Sequence, residues 1–221
     1  MSRAEERELR RALELNPSSA DVRYYYATWH LQAQGRVEQA LTEIRRGLEF
    51  NPLDSFFNAH VGYCLHATRQ SESATAQLQH AIDLDPTFFF SYWFLSIVYV
   101  LNGRLDEAIA VAEKANALSG GNALTLGALG SIYGRAGRTA EARQLLEELT
   151  ARRRLTYVPA SALALVYGGL GEWDDSLEWM ARAIEERDPI IVTSLKTAPA
   201  YDRVRSHPVF QALLRKMNLE P

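Results

Sequence analysis

A ladder of 34 residues runs through this chain and leaves few folds open to it. Gly35, Gly103, Gly137 and Gly171 stand on its rungs, and Arg69 fills the missing one. Five residues after each rung come Ala40, Ala74, Ala108, Ala142 and Ser176. Twelve after come Gly47, Ala81, Ala115, Leu149 and Ala183. Seven before come Thr28, Gly62, Ser96, Gly130 and Ala164, and eight before come Ala27, Val61, Leu95, Leu129 and Leu163. Pro17, Pro52 and Pro86 close units, and Pro189 closes the last one residue late. Small residues on both sides of a rung let two antiparallel helices approach closely, and the glycine turns the chain between them. The proline ends the second helix. Each unit is therefore a helical hairpin that cannot bury its apolar face alone and must stack on its neighbours.

This pattern resembles the tetratricopeptide repeat (TPR). AHVGYCL…SATAQLQHAIDLDP (59–86) and LGSIYGRAGRTAEARQLL (129–146) carry the resemblance best. It implies an all-α, right-handed superhelix, an α-α solenoid, with five repeats over residues 20–189. AEERELRRALELNP (4–17) matches only the second helix of a repeat, so residues 1–19 read as a half repeat. A lone second helix exposes a stacking face. Either Met1 opens a piece cut from a longer chain or a partner covers that end, and the first is the expectation. Residues 190–221 leave the period and read as C-terminal capping helices, which a solenoid needs at its end. With residues 157–189 they look like the close of TPR domains at the C-termini of large bacterial regulators. There such domains follow a winged-helix, Ser/Thr kinase or cyclase head.

The stretch FFFSYWFLSIVYVL (88–101) has no charge, yet it stops at Asn102-Gly103-Arg104, short of the roughly 20 apolar residues a membrane span requires. The ladder makes it the first helix of the third full repeat. The N-terminus has no apolar core of a secretory signal. The chain is 47% hydrophobic with a net charge of −3, its acids and bases interspersed, so no global field draws it to nucleic acid. A single cysteine, Cys64, excludes an internal disulfide. The expected location is cytoplasmic.

In TPR domains the first helices line the concave surface. The ladder then turns Tyr25, Tyr26 and Trp29 inward in the first full repeat, His60, Tyr63 and His66 in the second, and Phe90, Trp93 and Ile97 in the third. The fourth offers Gly127, Ser131 and Gly134. Large rings give way to small residues, which predicts a groove walled by aromatics and open above Gly127, Gly134 and Gly168. Such rings dominate interface energies. The inward positions hold no Lys, Arg or Asn, so a clamp for a C-terminal carboxylate is not expected.

No catalytic or metal constellation appears. His60 and His66 are six apart, off the i, i+4 spacing that places two ligands on one helix face. Gly127, Gly130, Gly134 and Gly137 match neither phosphate-loop spacing. Acid pairs such as Glu147-Glu148 fall on solvated faces, and no nucleophile signature is present. Arg152-Arg153-Arg154 ends a second helix, where cations suit the dipole. The expected function is a non-catalytic scaffold, without cofactor, that binds an apolar or amphipathic protein or peptide segment in its concave groove. The alternative is a regulatory or oligomerisation arm of a larger bacterial regulator, holding its own N-terminal domain or a second copy. Neither reading gives it direct contact with nucleic acid or membrane.

Overall fold

The computed structural model describes residues 3–219. Among these there are helices and turns and no strand. A lone α1 (Arg3–Leu15) is followed by five hairpins. The first pairs α2 (Ala20–Tyr25), continued by a π-helix (Tyr26–Gln32), with α3 (Val37–Leu48). The others are α4 (Ser55–Ala67) with α5 (Ser71–Leu84), α6 (Phe89–Leu101) with α7 (Leu105–Leu118), α8 (Ala123–Arg135) with α9 (Thr139–Arg153), and α10 (Ala160–Leu170) with α11 (Trp173–Glu185). Then come α12 (Pro189–Ser194), a 3-10 turn (Pro199–Tyr201) and α13 (Pro208–Lys216).

All five turns close in one way. The residue after each rung donates its N–H back across the helix end: Arg36 to Leu31, Gln70 to Leu65, Arg104 to Tyr99, Arg138 to Tyr133 and Glu172 to Tyr167, at 2.8–2.9 Å. This six-residue closure needs a left-handed rung. The four glycines supply it, and Arg69 adopts it too at φ 66°. First helices start on side-chain caps where the sequence has them. Ser19, Asp54 and Asn122 accept from the N–H groups of Val22, Phe57 and Thr125. The residues five after each rung are fully buried between paired helices, and the hydroxyl of Ser176 donates to the carbonyl of Ala164 at 2.8 Å.

Two compact units divide the chain. One holds residues 86–191, with a core of Leu126, Leu129, Ile132, Leu146, Leu149, Leu163 and Val166. The other joins residues 1–85 to 192–221, so the C-terminal segment belongs with the first two repeats. Gln32 donates to the carbonyl of Thr193 at 3.2 Å, and the Lys196 side chain lies over Gly35. Arg69 pairs with Asp202 at 2.5 Å. Leu195, Tyr201, Phe210, Leu213 and Leu214 are buried.

The π-helix has a cause in the sequence. Pro17 and Pro52 stand 35 residues apart, whereas Pro52 and Pro86 stand 34 apart. A π turn accommodates one extra residue within a helix. Residues before it are turned by about a third of a revolution relative to the ladder. Tyr24 consequently takes the place expected for Tyr25 and packs on Phe56 and His60, with ring centroids 4.6 and 5.0 Å away.

Candidate functional site

Rotation of α2 leaves Tyr25 in the position held elsewhere by His60, Phe94, Ala128 and Ala162. Those four are each 6% exposed or less, whereas Tyr25 is 53% exposed. In the fifth repeat this position, held by Ala162, meets the preceding first helix α8, since a Cβ on Gly127 would lie 2.7 Å from the Ala162 backbone. Among the described residues α2 is preceded by α1 alone, which matches a second helix. Tyr25 and Trp29 instead line a cleft of ≈730 Å³ with Ala4, Glu5, Glu8 and Leu9 of α1. Leu9 sits in the column of Ile44, Leu78, Ala112, Leu146 and Met180, all buried, but is itself only half-buried. Two helices thus each leave a core position uncovered, and both uncovered side chains face one cleft.

A carboxylate fixes α1 against the first repeat. Glu6 accepts from Arg10 at 2.8 Å, from Arg36 at 3.0 Å and from the Tyr26 hydroxyl at 3.2 Å, and its other oxygen lies 3.1 Å from His30 Nε2. The Arg10 guanidinium, helped by Arg36 and His30 and opposed by burial, holds the Glu6 carboxyl well below its usual range, at about 2. His30 is fully buried in a column that carries Cys64, Val98, Ile132 and Val166 in the other repeats. An apolar position has therefore been exchanged for a polar anchor.

Several expected groove residues lie elsewhere. Tyr26 is buried, its hydroxyl on Glu6 rather than on an open face, because the π turn directs it toward α1. His60 is buried between Tyr24 and Phe56, with Nδ1 2.9 Å from the Phe56 carbonyl. Tyr63 and His66 are buried and stand 6.3 Å apart by ring centroid. Trp93 is only 6% exposed, against Phe90 and Phe94. Phe90, Ile97, Ser131 and Trp29 are half-buried.

The opening expected above Gly127, Gly134 and Gly168 is closed. A Cβ on Gly134 would lie 2.6 Å from the Gly169 backbone, and one on Gly168 would touch Ser176 and Trp173. Absence of side chains lets α10 press its backbone onto α8. Sequence reasoning missed Tyr24, Leu9, Glu5 and Glu8. The signal for Tyr24 was the 35-residue proline spacing, which announces a register shift before Pro52.

Among the described residues no group of His, Cys, Asp and Glu is placed to hold a metal ion. Cys64 is buried, and burial pushes its thiol up to about 12. No helix among the described residues is long and apolar enough to cross a membrane.

Three family models, each described as tetratricopeptide repeat, match residues 6–55, 99–164 and 158–182, more than half of the chain between them. The chain belongs to the tetratricopeptide-repeat family. No curated protein sequence matches this TPR chain. Among solved structures, the TPR protein TTC0263 of Thermus thermophilus superposes with a TM-score of 0.62 at 23% identity, over 89% of this chain and 100% of that one. PilF of Pseudomonas aeruginosa gives 0.56 at 20%, over 85% and 86%. A chain of the APC/C hetero-tetramer Cut9-Hcn1 gives 0.60 at 18%, covering 95% of this TPR chain and 41% of its own length. These likenesses establish the fold.

Proposed function

We propose that this TPR chain is a protein-binding scaffold that takes an apolar or amphipathic segment of a partner protein against Tyr25 and Trp29. The exposure of Tyr25, in a position buried in every other repeat, carries the reading. A half-exposed tyrosine beside a tryptophan, on a wall that also offers Leu9 and Ala4, is the composition of an interface anchor. The likeness to a chain of Cut9-Hcn1, named as a hetero-tetramer, supports a partner of protein nature. No residue of the cleft recommends a reaction.

The test is a peptide selection on the full chain followed by a double variant, Tyr25→Ala with Trp29→Ala. Selected peptides should lose affinity at least about tenfold, two anchors being worth about 1.4 kcal/mol or more together. Circular dichroism should show unchanged helix content. Peptides that bind both proteins alike would refute the site.

A further inference from the structure

We infer that residues 192–206 are a tethered stand-in for a partner. They occupy the face that the ladder turns inward in the first two repeats, and a protein segment with an aromatic ring followed by a carboxylate, as in Tyr201-Asp202, takes their place. The inference goes beyond the cleft of Tyr25 and Trp29 and concerns a second face of the same unit.

Burial along two columns locates that face. Six before the rung, Tyr63 is buried, whereas Trp29, Ile97, Ser131 and Leu165 are half-buried. Three before the rung, Gln32 and His66 are buried, whereas Val100 and Gly134 are half-buried. Gly168 is buried too, but beneath Trp173 and Ser176 of its own hairpin. The cover on Gln32, Tyr63 and His66 is the C-terminal segment. Gln32 donates to the carbonyl of Thr193 at 3.2 Å. Burial, and after it the nearby Tyr201, pushes the Tyr63 hydroxyl up. Arg69 pairs with Asp202. His66 stands between Tyr63 and Arg69, three residues from each.

The fit is close for apolar atoms and poor for polar ones. Leu195, Tyr201 and Val204 are buried. Yet Oε1 of Gln32, both ring nitrogens of His66 and Oγ1 of Thr197 are buried with no hydrogen-bond partner among the described residues. Native interiors pair such groups, and each one left over weakens the contact that buries it. The ion pair adds little, because the Arg69 and Asp202 side chains are 56% and 43% exposed. The segment has another advantage, its covalent place between α12 and α13, where Phe210, Leu213 and Leu214 are buried. Such tethering supplies a high effective concentration without any contact. A free segment must instead bind by contacts alone. The face offers it Tyr63 for a ring, Arg69 for a carboxylate, and the polar atoms of Gln32 and His66 that the resident segment leaves unpaired.

The probe is a capped, isotope-labelled peptide of residues 192–206, VTSLKTAPAYDRVRS, titrated by fluorescence anisotropy. Two full-chain proteins are compared, the natural one and Tyr201→Ala, Asp202→Arg, in which the resident segment is weakened and the face is untouched. The peptide should bind the variant at least about tenfold more tightly, because its tethered rival is weaker. At saturation on the natural chain, hydrogen exchange of the chain's own residues 192–206 should quicken, the label keeping the two copies apart in mass. Arg69→Asp added to the variant should weaken the peptide about threefold or more, and Asp202→Arg in the peptide should restore it. Equal affinity for the two proteins places the peptide elsewhere and overturns the inference. So does absence of binding to the variant, which removes the face, and so does loss of helix content in the variant by circular dichroism, which makes the segment core. Indifference to the exchange of charge overturns the carboxylate. Tyr25→Ala, Trp29→Ala should leave this binding unchanged. Loss of binding there would move the peptide to the cleft, so that the second face fails while the proposed cleft stands.

Discussion

Glu6 shows how one residue converts a surface helix into part of the fold. Its folded pKa of about 2 lies below the ordinary 4.5, chiefly through Arg10. The stability it contributes is complete above the unfolded value and is lost as pH falls from about 4.5 toward 2. Glu6→Gln is expected to cost about 2 kcal/mol at neutral pH, the range for hydrogen bonds to charged groups. It should also flatten the urea midpoint against pH across that acid window, and an unchanged slope would contradict the assignment. His60 and His66 act in a different window. Burial lowers both from 6.5 to about 4, so the unfolded chain takes up protons that the folded one resists. Their contribution is complete above about 6.5 and declines as pH falls toward 4. Neither ring nitrogen of His66 has a hydrogen-bond partner among the described residues. Removing such a group relieves a desolvation penalty. His66→Leu should therefore leave midpoint stability at pH 7 equal or higher and remove part of the decline between 6.5 and 4. A marked loss at pH 7 would reveal a partner for that ring.

At the scale of elements, helices, turns and pairing were legible because each repeat states them again. Arg69 shows how far this goes, for it takes the left-handed turn that glycine takes in the other four repeats. Its side chain gives a reason for the exception, since it reaches Asp202 on the C-terminal segment. Facing was less legible than pairing. The extra residue between Pro17 and Pro52 announces an irregularity but does not place it, because a π turn can sit anywhere along a helix. Its position at Tyr26–Gln32 decides that Tyr24, and not Tyr25, meets His60. Deleting Thr28 should restore a 34-residue repeat with an uninterrupted α-helix and turn α2 back. Tyr25 would then pack toward α4, so peptide binding at the cleft should be lost while helix content is kept. Retained binding would show that the rotation has no part in the site. The glycines were misread for a related reason. A sequence reports a missing side chain without saying whether solvent or another backbone fills the space. Gly134→Ala should cost about 3 kcal/mol, toward the upper end of overpacking penalties, because the backbone of Gly169 has nowhere to move. A neutral result would restore the open groove.

At the scale of the whole molecule, the least legible feature was the attachment of the C-terminal segment to the first two repeats. Capping of the last repeat is a local expectation, whereas the contact between Gln32 and Thr193 spans 161 residues and leaves no periodic trace. Its consequence is a chain with two cores, one of them built from both ends. Contacts between repeats act on nearest neighbours, so damage to one core need not be transmitted at full strength to the other. Leu163 is fully buried in the core of residues 86–191, and Leu163→Ala should destabilise that unit by about 2–5 kcal/mol. Phe210 is fully buried in the other unit, and Phe210→Ala should cost about 3–5 kcal/mol there. Native-state hydrogen exchange distinguishes the two. In Leu163→Ala, protection should fall most in α7 to α11, with α3 to α5 and α13 comparatively preserved. In Phe210→Ala the order should reverse, with α3 to α5 losing protection although they lie more than a hundred residues away in sequence. That reversal is the decisive observation, because a solenoid whose end cap served only its last repeat would lose protection in α10 and α11 first. If α10 and α11 do lose it first, the closure of the first unit by the C-terminal segment is wrong.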